Sequence, residues 1–141
     1  LEGWELLFRR GGFATIAPKE GAQVQGLLWS ITQSCERSLD RYEGYPRFYD
    51  KRMVTVRDSE GRSLSVMAYI MDERFREPML PTDSYYNSIL EGYRQNGLPT
   101  AELKKAWDHA VREVHQETER VNDAICQHSK APKRRKPHNC R

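Results

Sequence analysis

The chain has 141 residues, 38% of them hydrophobic and 30% charged, a balance within the range of one globular domain with a real core. Its longest apolar run, Val66-Met67-Ala68-Tyr69-Ile70-Met71, falls far short of the roughly 18 residues that a spanning helix needs, so no membrane role is expected. The formal charge of +3 divides unevenly: residues 129–141 carry six lysines and arginines and no acid, which leaves 17 basic against 20 acidic side chains elsewhere and no basic face for nucleic acid.

In chain order, residues 4–9 (WELLFR) form a short apolar strand that ends at the turn Arg10-Gly11-Gly12. Residues 13–17 read as a second strand, closed by Pro18 and Gly21, and residues 24–31 (VQGLLWSI) as a third, with Gly26 at a bulge. Thr32 is placed to cap a short helix over residues 32–42, stopped by Gly44 and Pro46. Residues 52–57 alternate as a strand, and Asp58-Ser59-Glu60-Gly61 turns the chain into a further strand at residues 63–71. Thr82 or Asp83 caps a helix that Asn96-Gly97 ends. A long helix follows from about Thr100 to His128, with Leu103, Trp107, Ala110, Val114, Val121 and Ala124 at spacings of three, four or seven. Glu117 and Thr118 interrupt that stripe, so its distal half is expected to pack less tightly. Charge and proline after Ser129 predict a disordered basic tail, giving a domain at 1–128 and a tail at 129–141.

Five short strands followed by helices make an α+β pattern, with a small barrel or curled sheet. The expected core is Leu6, Phe8, Ile16, Val24, Leu27, Leu28, Leu39, Val54, Val56, Val66, Tyr69, Ile89 and Leu90, the apolar faces of these elements. Cys35, Cys126 and Cys140 are odd in number, scattered and without a CxxC pair, which points to a reducing, cytoplasmic setting. Leu1-Glu2-Gly3-Trp4 has no basic-then-apolar pattern, so no signal peptide is expected in this chain.

Chemistry concentrates in Leu39-Asp40-Arg41-Tyr42-Glu43-Gly44-Tyr45. Cys35, Leu39 and Glu43 share one helix face, so Glu43 lies with apolar residues in the last turn, where the helix dipole disfavours a carboxylate. Burial and dipole together raise its pKa toward what a general acid/base needs. A solvated glutamate at a frayed turn is the bland alternative. The pairs His109/Glu113 and His115/Glu119 lie on different faces of the long helix and do not converge on a metal. The chain has no phosphate-binding glycine loop and no Gly-x-Ser-x-Gly.

From about Trp4 to about Ala106 the chain resembles the γ-glutamyl cyclotransferase (AIG2-like) family. The carrying segments are Gly11-Gly12-Phe13-Ala14-Thr15-Ile16, Val24-Gln25-Gly26-Leu27-Leu28-Trp29 and Leu39-Asp40-Arg41-Tyr42-Glu43-Gly44. They are followed at the family's approximate spacing by Tyr49, Ala68-Tyr69-Ile70-Met71, Pro81-Thr82-Asp83-Ser84-Tyr85 and Asn96-Gly97-Leu98-Pro99. The resemblance implies a small mixed β-barrel flanked by helices, with Glu43 as the one catalytic acid/base and Tyr49, Tyr69 and Tyr85 in the substrate cavity. Gly12 lies in the turn nearest the expected substrate loop.

The implied reaction is intramolecular. The α-amine of a small γ-glutamyl substrate attacks its own γ-carbonyl, closes 5-oxoproline and releases an amine or amino acid, with no cofactor or metal. The family's opening strand and Tyr-Gly-Ser-Asn loop do not occur in this sequence, and the expectation is that a longer protein carries them. The alternative is a non-catalytic module of the same fold that contacts a partner, or a second copy of itself, through the long helix and basic tail.

Overall fold

The computed structural model describes residues 1–129, so the tail expected after Ser129 lies outside the described residues. The elements are β1 (Glu2–Arg9), a 3-10 turn (Arg10–Gly12), β2 (Phe13–Gln23), α1 (Gln33–Glu43), β3 (Tyr49–Arg57), β4 (Ser63–Met71), α2 (Asp83–Gln95) and α3 (Ala101–Ser129). The fold is mixed α+β. Its strands form two antiparallel hairpins, β1–β2 and β3–β4, and among the described residues they do not close into a barrel.

Local signals explain most of these boundaries. Thr32 caps α1 by accepting from Cys35 N at 3.2 Å, and Thr82 caps α2 by accepting from Tyr85 N at 3.3 Å. Gly44 ends α1 in the left-handed region, at φ 65°, where a side chain would be strained. Asp58 builds the β3–β4 turn, its Oδ1 accepting from the backbone of Glu60 and Arg62 at 2.9 Å each.

Two strand expectations require correction. The second strand does not stop at Ala17: the β1–β2 ladder runs past Pro18, paired with Trp4, to Gln23, with an irregularity between Glu2 and Trp4. Residues 24–31 are not a strand. Val24 exchanges backbone bonds with Leu1 at 2.8 and 2.9 Å, but the segment beyond has no neighbouring strand among the described residues. Strand-forming side chains cannot make a strand without a second backbone to bond. Leu27 and Leu28, expected in the core, are accordingly exposed, at 44% and 56%.

The core has its centre where α3 packs against β1. Phe8 and Leu103 are fully buried, with Ala106 and Ala110 beside them and Leu6, Tyr86, Ile89 and Leu90 packed around them. Burying each of the two large side chains contributes about 1.5–3 kcal/mol. Arg9 Nη1 clamps the far end of this contact onto Glu113 at 2.7 Å. Beyond it α3 leaves the domain: residues 115–128 are all exposed. The interruption at Glu117 and Thr118 has the packing effect expected of it. The second hairpin buries Tyr49, Val54, Ile70 and Met71, and Met71 N donates to Thr15 Oγ1 at 2.9 Å where the hairpins meet.

Candidate active site

Three elements converge on Ala14 of β2. Paired opposite Phe8 on β1, Ala14 turns its own N–H and C=O away from that strand, and two tyrosines take them. Tyr49, the first residue of β3, donates its hydroxyl to Ala14 O at 2.6 Å. Tyr85, in the first turn of α2, accepts from Ala14 N at 3.1 Å. The Phe13 ring meets Tyr85 edge-on at 5.4 Å and Phe48 edge-on at 6.2 Å, which fixes the rings in place.

Gly12 serves this arrangement by packing. It is buried at φ +73°, and a Cβ there would lie 2.5 Å from Leu80 O and 2.8 Å from Pro81 Cα. The room beside it is therefore taken by the segment that leads into the Thr82 cap and delivers Tyr85. Of the residues expected to touch substrate, Gly12 is the one the structure fills from within.

Glu43 ends α1 one residue before the left-handed Gly44. Its carboxyl is half-buried and, among the described residues, has no hydrogen bond or ion pair. Burial raises its pKa above the usual glutamate value. The same charge acts on both tyrosines: burial first, then the Tyr85 and Glu43 neighbours, push the Tyr49 phenol well above its ordinary value. Tyr85 is raised by burial and by Glu43, against the Ala14 bond that lowers it. Glu43, Tyr49 and Tyr85 thus form one electrostatic group.

Tyr69 faces the same side of the second hairpin, paired across from Lys51, but its hydroxyl is engaged elsewhere. It donates to Asp40 Oδ1 at 2.6 Å, and burial with that bond pushes its pKa to about 12. Lys51 Nζ lies 2.9 Å from Glu36 and 3.0 Å from Asp40, and 4.3 Å over the Tyr45 ring. Asp40 is held below the usual carboxylate range, first by the Tyr69 hydroxyl and then by Lys51. This network ties α1, which carries Glu43, to the hairpin that carries Tyr49. Sequence reading missed it, although Glu36 and Asp40 at i, i+4 on one helix face were a legible signal for a shared cation.

Two clefts lie away from this group. One, of about 550 Å³, separates β1–β2 from α3 and is lined by Glu5, Lys19 and His109 among others. The other, of about 640 Å³, lies between α2 and α3 against Tyr86 and Trp107. Neither is lined by Glu43, Tyr49, Tyr69 or Tyr85. Among the described residues no three His, Cys, Asp or Glu side chains are grouped to hold a metal, and no helix is long and apolar enough to cross a membrane.

The profile of the gamma-glutamyl cyclotransferase, AIG2-like family matches residues 1–88. The chain is 35% identical over 96 residues to gamma-glutamylcyclotransferase of Bos taurus, covering 67% of this chain and 50% of that protein. It is 34% identical over 90 residues to the Homo sapiens protein of the same name, covering 63% and 47% respectively. The chain therefore spans about half the length of the curated relatives it matches. A solved gamma-glutamyl cyclotransferase superposes with a TM-score of 0.65 at 29% identity, covering 75% of this chain and 68% of that one. The chain belongs to the gamma-glutamyl cyclotransferase, AIG2-like family.

Proposed function

We propose that the protein is a γ-glutamyl cyclotransferase in which Glu43 moves the proton. The observation that carries this reading is the partly buried Glu43 carboxyl, with no hydrogen-bond or ion-pair partner among the described residues, beside the two hydroxyls that grip Ala14. A carboxylate of raised pKa can take a proton from the substrate's α-ammonium and later deliver it to the leaving amine. Ring closure to 5-oxoproline is intramolecular, so a site that holds the substrate curled removes much of the entropic barrier. In this reading Tyr49 and Tyr85 border the substrate, and Tyr69 holds α1 in place through Asp40. The substrate is a small γ-glutamyl compound, the chemistry acyl transfer with loss of an amine, and the setting cytoplasmic.

The barrel belongs to the same proposal. Residues 25–31 carry strand-forming side chains beside an open flank, and one more strand laid there in the full-length protein would extend the β1–β2 ladder already continued by Leu1 and Val24. The Tyr-Gly-Ser-Asn loop of the family, carried next to such a strand, would supply backbone N–H groups to the substrate.

The test is release of 5-oxoproline and amine by the full-length protein from γ-glutamyl amino acids, γ-glutamyl amines and glutathione, repeated with Glu43→Gln. Turnover that the variant loses supports the reading; a variant that keeps most of its activity removes Glu43 as catalyst. If the intact protein turns over none of these compounds, the second reading takes its place. That reading is a binding module that meets a partner or a second copy through α3, and the exposure of Val121 and Ile125 on the distal helix favours it.

A further inference from the structure

We infer that Tyr85 is the hydroxyl that donates to the oxygen of the reacting carbonyl, an assignment that rests on the cyclotransferase reading. The two tyrosines on Ala14 are not equivalent. Tyr49 donates its proton to Ala14 O at 2.6 Å, so toward a substrate its oxygen can only accept. Tyr85 accepts from Ala14 N at 3.1 Å. A phenol oxygen that accepts a bond keeps its own O–H, and among the described residues that O–H has no acceptor. The neighbouring hydroxyls cannot take the role: Tyr69 donates to Asp40 at 2.6 Å, and Tyr42 is 84% exposed.

The donor is also preorganised. The Phe13 ring, edge-on at 5.4 Å, holds the Tyr85 ring, and the Ala14 N–H bonded to the oxygen polarises the phenol into a better donor. Fixed donors aimed at developing charge are what an acyl-transfer site requires.

In the reaction, Glu43 takes a proton from the α-ammonium, and the amine's electron pair forms the new C–N bond to the carbonyl carbon of the γ-amide. The carbonyl π electrons move onto oxygen, which Tyr85 stabilises by its hydrogen bond. As the carbonyl re-forms, the bond to the leaving nitrogen breaks with its electron pair and that nitrogen takes the proton from Glu43. The ring nitrogen then gives its surplus proton to the regenerated Glu43 carboxylate, which passes it to the departing amine and leaves the neutral lactam. Tyr85 gives up no proton in the cycle. It holds one.

The experiment uses the full-length protein, a γ-glutamyl anilide and the matching γ-thioanilide, whose sulfur is a poor hydrogen-bond acceptor. Tyr85→Phe is expected to lower kcat on the anilide about 10²- to 10³-fold, the cost of one oxyanion donor, while KM moves less than about threefold. The variant should also lose most of the preference for the oxygen over the sulfur substrate, a readout that a merely structural role would not move. Tyr49→Phe should keep that preference. Should Tyr85→Phe not fold, a fluorotyrosine placed at position 85 keeps the ring and the hydroxyl while strengthening the donor, and the oxygen-over-sulfur preference should rise with it. An unchanged kcat in Tyr85→Phe, or an unchanged preference in it or in the fluorotyrosine protein, overturns the assignment. In each case inactivation by Glu43→Gln leaves the cyclotransferase reading standing. A full-length protein that cyclises neither compound brings down both.

Discussion

Glu43 occupies a place where a carboxylate is locally unfavourable. It lies at the C-terminal end of α1, where the carbonyl dipoles are negative, and burial raises its pKa. A group whose pKa is higher folded than unfolded supports the fold fully below its unfolded value and loses that support as pH rises through the folded value. Glu43→Gln removes the group from this balance while keeping its shape. The variant is therefore expected to be as stable as the parent or slightly more so at neutral pH, the difference vanishing below the usual glutamate range. Thermal melts at pH 3 and pH 7.5, run beside the activity measurement in which general acid–base loss costs about 10²- to 10⁴-fold in kcat, check both halves. A variant clearly less stable at neutral pH would mean that the carboxylate holds the structure rather than serving chemistry.

Between elements, what was legible in the sequence was what neighbours in the chain decide. The Thr32 and Thr82 caps, the Gly44 stop and the Asp58 turn each act within a few residues of themselves, and each stands where its residue types place it. Residues 24–31 have strand composition and no strand, because pairing depends on a backbone far away in sequence. The site divides in the same manner. The partial burial of Glu43 was readable from its helix face, whereas the bond from Tyr69 to Asp40 depends on how α1 lies across the second hairpin, which no periodicity encodes. Gly12 gives the sharpest test of how elements are coupled. Its Cβ would strike Leu80 O at 2.5 Å, backbone that cannot swing aside, whereas Gly21, at a similar positive φ of +76°, has nothing within 4 Å. Gly21→Ala should cost about 1–2 kcal/mol of backbone strain alone. Gly12→Ala should cost that and about 1–3 kcal/mol more from overpacking, measured by denaturant midpoint. Equal losses at the two positions would show that the Leu80–Pro81 contact gives way easily.

Across the whole molecule, stability and reach are divided along α3. Its first half is bound into the core through Leu103, Ala106 and Ala110 and clamped by the bond from Arg9 to Glu113. Past residue 114 every described side chain is exposed, and the contacts there are local to the helix, such as Thr118 Oγ1 to Val114 O at 2.9 Å and His115 to Glu119 at 3.2 Å. Exposed pairs of that kind contribute about 0–1 kcal/mol, and a helix without an apolar contact owes little to the fold that carries it. Ending the chain after His115 should therefore lower unfolding free energy by less than about 1 kcal/mol, whereas Leu103→Ala, which empties a fully buried site, should cost about 2–5 kcal/mol. Urea unfolding of the two variants beside the parent measures this. A truncation loss near that of Leu103→Ala would mean that the distal helix folds as one unit with the domain. A small loss, with 5-oxoproline release from the full-length protein unchanged by removal of residues 116–128 alone, would separate the chemistry proposed for Glu43 from whatever the exposed Val121 and Ile125 meet.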